Sequence, residues 1–420
     1  MFAMFAPHTH SEVRTKMFTV VGLMCAAGLS AVACGSSSSN GSGTGGAGSG
    51  VGTGGHVVAT GGTTAATGGM TAATGGARAS GGTTGTAGAR ATGTGGATAA
   101  GGKPGTGGTP ATGGSTGTAQ VGSIGGCQIF PADNPWNQDI SGLPLNSKAS
   151  TYLASMNGGT ALHADWADYA AQGDYFGIPF TSGTGAAALP VNITDWPDES
   201  DPAPCATGGG MFCYPIPLTA PVENPAEDDR HVLYLDTAGA PNNCTLYELY
   251  QGQSSKSGWT AANGAIFHLG SNALRPDGWT SGDAAGLPIL PGLVRFDETI
   301  NKKAITHAIR FTMKATQHAY IHPATHAAGT ANASLPPMGL RLRLKASFDT
   351  SKFTGPSLVI MTAMKKYGII LADNGHDWYI TGESNDAWVP YMDQISTDVA
   401  KMKGSDFEAV DTGPVSTNNL

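Results

Sequence analysis

A tract rich in glycine and threonine, residues 35–126, sets the strongest limit on what this chain can fold into. Thirty-four of its residues are glycine and none is acidic, and most of the others are Thr, Ala and Ser. Such a sequence has too little apolar surface to offset the conformational entropy lost on ordering. We therefore expect a flexible tether, followed by the folded part of the protein in residues 127–420.

The first 34 residues have the layout of a bacterial export signal. Arg14 and Lys16 precede an uncharged, mostly apolar run that is too short and too rich in Ala and Gly for a membrane span. The run ends in Ala-Val-Ala followed by Cys34, which resembles the lipobox of bacterial lipoproteins. We expect lipidation of Cys34 and a location at the bacterial cell surface or outer membrane, with the lipid as the only membrane attachment. Secretion after cleavage near Ala33 is the alternative.

Residues 127–420 are strongly acidic and long enough to form one globular domain. Outside them lie Glu12, one of the chain's 30 acids, and five of its 22 Lys and Arg residues. The remaining 29 acids and 17 bases give a net charge of about −12. This charge argues against nucleic acid or an anionic membrane surface as a partner.

Four cysteines lie in the folded part. An even number of cysteines in an exported domain favours two disulfides. Cys205 and Cys213 flank a Gly-Gly-Gly turn and are predicted to form one bond, which leaves Cys127 and Cys244 for the other. A zinc site is the weaker alternative because the chain has no Cys-x-x-Cys motif.

Apolar and polar residues alternate in eight segments that we predict as strands: HVLYLDT, CTLYELYQ, GAIFHL, LVRFDE, ITHAIRFT, GLRLRLKA, YGIILAD and DWYITG. Helices are predicted over 147–159, 354–368 and 385–404. Proline in a first turn and glycine after a last turn mark their ends. In the third helix, Pro390 places the start near Val389.

Two hairpins are expected between these strands. One joins LVRFD to ITHAIRFT through a turn near Asn301, and the other turns at Asn374-Gly375 between IILAD and DWYI. No regular alternation of strands with helices is present. The predicted fold class is therefore α+β, mainly antiparallel β, with a sandwich or jelly-roll-like core and a few peripheral helices.

Three stretches of the folded part resemble one bacterial family. They are RPDGWTSGDAAGLPILPGLVRFDE (275–298), LPPMGLRLRLKASFD (335–349) and YGIILADNGHDWYITG (367–382). These stretches are similar to a widespread group of secreted proteins of actinobacteria and myxobacteria, and the similarity extends over nearly all of residues 127–420. The resemblance implies export and a single domain. It brings no established activity, so the chemistry rests on the residues.

Four residues are candidates for general acid/base catalysis. His307 alternates with apolar residues in ITHAIRFT, which predicts an inward-facing imidazole, either at the floor of a cleft or as a core histidine with a satisfied hydrogen bond. Asp297 ends the strand that is expected to pair with that of His307. Glu248 lies between aromatic residues, where a raised pKa is expected, and His163 precedes two aspartates in LHADWADY.

Four further residues are predicted to contact sugar: Arg310, Arg341, Trp279 and Trp378. Arg341, Arg343 and Lys345 alternate with leucine in a predicted strand. This row of cations either faces an acidic substrate such as a uronate polymer or forms the outer face of a sheet. The two tryptophans lie beside Gly, Asp or Thr in turn-like sequences, where exposed indoles stack on sugar rings.

A histidine-rich segment, HAYIHPATH, raises the question of a metal site. His318, His322 and His326 are four residues apart, which on a helix would place them on one face. Pro323 disfavours that helix, so a site made by His322, His326 and a remote carboxylate is the weaker interpretation. Nucleophile-elbow, metalloprotease, phosphate-loop and dinucleotide-binding motifs are absent, and no cofactor is implied.

These observations favour a surface-anchored enzyme. The predicted function is cleavage of an extracellular polysaccharide by general acid/base catalysis, as a glycoside hydrolase or a polysaccharide lyase. A non-catalytic glycan-binding or adhesion lipoprotein is the first alternative, and a metal-dependent extracellular hydrolase is the second.

Overall fold

The structure describes most of the chain after residue 121. The computed structural model covers residues 122–420 apart from 170–173, 207, 209 and 226–228. The predicted export signal, Cys34 and the tether up to residue 121 lie outside these residues. Within the described ranges, no helix is long and apolar enough to cross a bilayer.

Short strands form much of the folded part. Seven of the eight predicted strand segments are present, as β9, β10 and β13–β17. In chain order the strands are β1 Ser123–Ile124, β2 Cys127–Gln128, β3 His163–Asp165, β4 Ala167–Tyr169, β5 Asp174–Phe176, β6 Phe180–Gly183, β7 Leu189–Ile193, β8 Cys213–Tyr214, β9 Val232–Asp236, β10 Thr245–Tyr250, β11 Gln253–Ser254, β12 Trp259–Ala261, β13 Asn263–His268, β14 Ile309–Met313, β15 Arg341–Leu344, β16 Ile369–Asn374, β17 Tyr379–Thr381 and β18 Phe407–Ala409. Residues 123–124 were predicted to belong to the tether, but they form strand β1 and pair with β2.

All three predicted helices are present. They are α1 Ala149–Ser155, α2 Gly355–Lys366 and α3 Val389–Val399. Proline lies in the first turn of α2 and of α3, where its missing N–H costs no helical hydrogen bond. Gly368 follows α2 with a φ of 71°, and its N–H donates to Ala363 O to close the last turn.

The strands form three larger sheets and two hairpin-like pairs. The largest has the order β18-β15-β16-β14-β17-β3, and the two four-stranded sheets have the orders β13-β10-β9-β6 and β11-β12-β7-β8. Strands β1 and β2 form one pair, and β4 and β5 form the other. Of the thirteen pairings between these strands, nine are antiparallel.

One hydrophobic core is shared by the six-stranded sheet and the sheet that contains β10. Phe311 and Leu342 from the first sheet and Leu233 and Leu246 from the second are all fully buried in it. The helices add apolar side chains to the same core, such as Ile360 of α2. The predicted α+β, mainly antiparallel class with a sandwich-like core and few helices is confirmed.

Both predicted hairpins are wrong. LVRFDE forms no strand, because the chain turns through a short helix at Leu290–Gly292 and a π-helix at Asp297–Asn301. Asp297 therefore does not face His307, and its carboxylate lies 2.6 Å from Lys302 Nζ on the surface. In the second predicted hairpin, β16 and β17 do not pair with each other, because β14 lies between them and pairs with both strands.

Both predicted disulfides are confirmed. Cys127 is bonded to Cys244 and Cys205 to Cys213. The first bond is buried in the main core and connects the start of the folded part to the start of β10. The second closes a short loop before β8. Two disulfides are compatible with an extracellular protein.

Candidate active site

One face of the six-stranded sheet is polar at the strands β16, β14, β17 and β3. In β14, Ile309 and Phe311 enter the core, so Arg310 and Thr312 point to the opposite face. The strand register then places Asp373 and Tyr379 beside Thr312, His163 beside Tyr379 and Asp165 beside Thr381. We call this surface the polar face; its side chains are Asp373, Thr312, Arg310, Thr381, Tyr379, Asp165 and His163.

Arg310 is at the centre of the polar face and is buried. Its Nε donates to Asp283 Oδ2 at 3.2 Å, its Nη2 donates to Asp283 Oδ1, and its Nη1 donates to Thr381 Oγ1 at 2.7 Å. Nη2 also lies 4.0 Å from Asp373 Oδ2. Asp283 comes from the loop between β13 and β14, so this loop and three strands meet at one guanidinium.

The two carboxylates at Arg310 differ in their access to solvent. The side chain of Asp283 is fully buried, whereas that of Asp373 is 24% exposed. Burial, and then the neighbouring charge of Asp283, raise the pKa of Asp373 to about 7, although Arg310 opposes this shift. Asp373 is therefore a solvent-accessible carboxyl group that exchanges its proton near neutral pH, which suits a general acid or base.

A buried histidine supports the Asp283 loop from the second sheet. His231, at the start of β9, directs Nδ1 to Glu223 Oε2 and Nε2 to Gly282 O, 3.0 Å away. Both neighbours are acceptors, so both ring nitrogens carry protons. Burial disfavours the imidazolium, but the charge of Glu223 outweighs it and raises the pKa of His231 to about 10.

The other end of the polar face is open to solvent. The ring of Tyr379 lies between two histidines, with its centroid 4.1 Å from that of His163 and 4.9 Å from that of His376. Asp165, two residues after His163, is partly exposed. Burial raises the pKa of Asp165, and the charges of His163 and Arg310 oppose this shift. The face thus runs from a buried ionic centre to an accessible edge.

Of the predicted site residues, the structure brings Arg310 and His163 onto the polar face and Glu248 behind it. Glu248 extends from β10 and accepts hydrogen bonds from Ile289 N and Leu290 N, in the loop that carries Asp283. Burial raises its pKa to about 7, in the expected direction, although these backbone bonds stabilise the carboxylate. Its side chain has no contact with solvent, so it stabilises the loop and does not face a substrate.

His307 lies away from the polar face, in a buried ionic cluster. Its Nε2 is 2.9 Å from Glu298 Oε1 and 3.0 Å from Arg295 Nη2, and its Nδ1 donates to Ala308 O at 2.7 Å. The predicted inward orientation is confirmed, but β14 begins two residues later, at Ile309. His307 is thus a core histidine with satisfied hydrogen bonds.

Three of the four predicted sugar contacts, Arg310, Arg341 and Trp378, are buried, which contradicts their predicted role. The guanidinium of Arg341 donates to Tyr367 O and Pro135 O. Arg341 is therefore not part of an outward row of cations, whereas Arg343 and Lys345 are partly exposed. Trp378 is fully buried and donates to Met156 O, which overturns its predicted exposure. Trp279 is half-buried, with the guanidinium of Arg275 5.6 Å from its ring.

The histidines of HAYIHPATH do not converge. His322 Nε2 lies 2.8 Å from Asp277 Oδ1, whereas His326 Nδ1 donates to Ala284 O at 2.7 Å. No helix forms between His318 and His326, as Pro323 predicts. Among the described residues, no group of three or more His, Cys, Asp or Glu side chains is arranged to hold a metal ion.

A cleft of about 390 Å³ lies beside the polar face and not on it. Trp136, Tyr247, His268 and Arg275 contribute to its walls at the edge strand β13. Another wall is Leu287, in the loop that carries Asp283, so this loop separates the cleft from the ionic centre. Asp373, a carboxyl group that is partly exposed and has a pKa near neutrality, is on the polar face and not in the cleft, and we therefore take the polar face as the candidate active site.

Comparison of the chain with protein-family models, with curated proteins and with solved structures found no match. The family resemblance carried no activity, and these comparisons supply none. The candidate site therefore rests on geometry. Sequence inspection missed Asp283, Asp373 and Glu223; for Asp373, its place at the end of an apolar strand was the available signal.

Proposed function

We propose that this protein is an enzyme that cleaves an extracellular polysaccharide by general acid/base catalysis on the polar face. One observation carries the proposal: Asp373 is partly open to solvent beside the buried Arg310–Asp283 pair. Burial and the neighbouring charge of Asp283 both favour the protonated form of Asp373 and raise its pKa. This is how an acid catalyst is kept ready at neutral pH.

Hydrolysis assigns separate roles to Asp373 and Asp283. Asp373 donates its proton to the glycosidic oxygen as the C–O bond breaks. The water that attacks the anomeric carbon gives its proton to solvent, because β3, which carries Asp165, lies three strand spacings, about 14 Å, from the strand of Asp373, too far for both carboxyl groups to act on one bond. Burial raises the pKa of Asp283 and Arg310 opposes this shift, while the charge of Asp283 adds to the burial that raises the pKa of Asp373. Because the donors of Arg310 already bind Asp283 and Thr381, the arrangement favours a hydrolase over a lyase that needs a free cation for a uronate.

We further propose that the protein is exported and attached to the membrane through a lipid on Cys34. The lipobox-like sequence supports this location, and the two disulfides are compatible with it. Metabolic labelling with radioactive palmitate in a bacterial host tests the anchor. Label on the wild-type chain and none on Cys34→Ser supports it, and equal labelling of both contradicts it.

The activity is tested with the purified protein and a panel of neutral and acidic polysaccharides, with and without a chelator. Reducing ends report hydrolysis, and unsaturated products report a lyase. Reducing ends without unsaturation, unaffected by the chelator, are expected. Binding without cleavage would favour the glycan-binding alternative, and activity lost to the chelator would favour the metal-dependent one.

A further inference from the structure

Trp196 is the exposed tryptophan of this protein. All seven tryptophans are described, and Trp196 is 40% exposed, whereas the other six are buried or half-buried. It lies in the acidic loop DWPDES, in a position that sequence inspection would assign to a solvated turn. Single apolar residues are common on protein surfaces, so the significance of this ring depends on how it is held and on what surrounds it.

The loop holds Trp196 in a defined position. The backbone N–H groups of Asp195 and Trp196 both donate to Ala262 O, at 3.3 and 3.0 Å. Ser200 Oγ donates to Trp196 O at 2.7 Å, and a short helix at Pro197–Glu199 follows. The indole is therefore presented by a fixed backbone, as a binding group requires.

A chain of ring contacts joins Trp196 to the ionic centre. Its centroid is 6.1 Å from that of Tyr250, and the ring of Tyr250 is 5.5 Å from that of His231. His231 in turn contacts Gly282, the neighbour of Asp283. Exposure falls along this path from the accessible indole to the buried imidazole. The path therefore runs from the surface toward the proposed catalytic groups.

The charge around the indole selects the kind of ligand. Asp195 and Asp198 are exposed on the same loop, and exposed Asp229 accepts a hydrogen bond from Tyr250 Oη at 3.3 Å. Two carboxylates on the loop of Trp196 and a third at Tyr250 repel an anionic polymer, in a folded part whose net charge is already negative. A neutral sugar fits this site, because its apolar ring face can stack on the indole and it has no carboxylate that the aspartates would repel.

We propose that Trp196 and Tyr250 form a subsite that binds a neutral sugar unit of the polysaccharide, by stacking on the indole and hydrogen bonding at the tyrosine. The subsite rests on the proposed function and makes it more specific, because it commits the enzyme to neutral glycans. Both residues bind the substrate and neither takes part in proton transfer.

Two measurements on the full protein test the subsite. The first compares the kinetics of wild type, Trp196→Ala and Trp196→Phe on each neutral polysaccharide of the panel. We expect KM to rise about tenfold in the alanine variant, with less change in the phenylalanine variant and kcat nearly constant. Leu145→Ala, at another exposed apolar residue, is the control and leaves both constants unchanged.

The second measurement is binding of the same glycans, and of a polyuronate, by isothermal titration calorimetry in Asp373→Asn and in Asp373→Asn/Trp196→Ala. Binding of a neutral glycan that the second change abolishes supports the subsite, even if the wild type cleaves nothing and the proposed activity fails. Cleavage with the same KM in Trp196→Ala overturns the subsite alone. Preferential binding of the polyuronate, or no binding at all, also overturns it.

Discussion

Arg310 binds the carboxylate of Asp283 with two N–H donors, at a place where both side chains are buried. The pair joins a central strand of the six-stranded sheet to a long loop that the second sheet supports through His231. A bidentate contact fixes the orientation of both groups, so this pair holds the loop over the sheet together with the contacts of His231 and Glu248.

Breaking this pair from one side is predicted to be costly. Arg310→Met leaves Asp283 buried and without its partner, so the free energy of unfolding should fall by about 3–5 kcal/mol. Denaturant unfolding followed by fluorescence measures this. Lys352→Met, at an exposed lysine, is the control and should change stability by no more than about 0.5 kcal/mol. A loss in Arg310→Met as small as in the control would show that the pair does not hold the loop.

The His231–Glu223 pair predicts a pH window of stability. The pKa of His231 is raised from its ordinary 6.5 to about 10, so its contribution is complete below pH 6.5 and is lost as the pH rises through 10. The pKa of Glu223 is lowered, so the contribution is also lost as the pH falls below its ordinary 4.5. Glu223→Gln should cost about 3 kcal/mol at pH 6.5, with a smaller difference from wild type at pH 10. A difference that is the same at both pH values would contradict the pairing.

Glu248 should make the folded state less stable as the pH rises. Its pKa is raised to about 7 from an ordinary 4.5, so the folded protein holds this proton more tightly than the unfolded chain. Stability is then lost between about pH 4.5 and 7. The difference in Tm between Glu248→Gln and wild type should increase in favour of the variant as the pH rises from about 4.5 to 7. Above about pH 7 this difference should stay constant. Asp393→Asn, at an exposed aspartate, should show no such trend.

The two disulfides should contribute different amounts to the free energy of unfolding. Cys127–Cys244 spans 117 residues and Cys205–Cys213 spans 8. Loop-closure entropy predicts losses of about 5 and about 2.5 kcal/mol when each pair is replaced by alanine. Guanidinium unfolding of the two double variants measures the losses. A larger loss from the short loop would contradict this account.

Local signals in the sequence predicted much of the fold. Pro390 and Gly368 mark helix ends through their own backbone restrictions, and the structure agrees with both. Alternation in β14 placed Arg310 opposite Ile309, which is also observed. These features depend on residues close together in the chain, so one sequence is sufficient to show them.

Long-range pairing was the part that the sequence did not show. The turn at Gly375 looks like a hairpin, yet the stronger requirement is that the apolar strand β14 be covered on both edges. The candidate site also depends on contacts between distant parts of the chain, because Asp283 binds Arg310 from a loop 27 residues earlier. Asp283 and Trp196 lie in loops, whose sequences show no periodic pattern of apolar residues that would indicate which residues they contact.

The central claim is that Asp373 is the acid catalyst of a glycan-cleaving enzyme. It is tested most directly by the pH dependence of kcat/KM on a cleaved polysaccharide, for wild type, Asp373→Asn and the control Asp393→Asn. Wild type and control should lose activity as the pH rises through about 7, where Asp373 loses its proton. Asp373→Asn should be at least ~100-fold slower below about pH 7, and the difference should shrink as the pH rises further. Asp373→Asn activity equal to wild type, with the same decline near neutrality, would contradict the account.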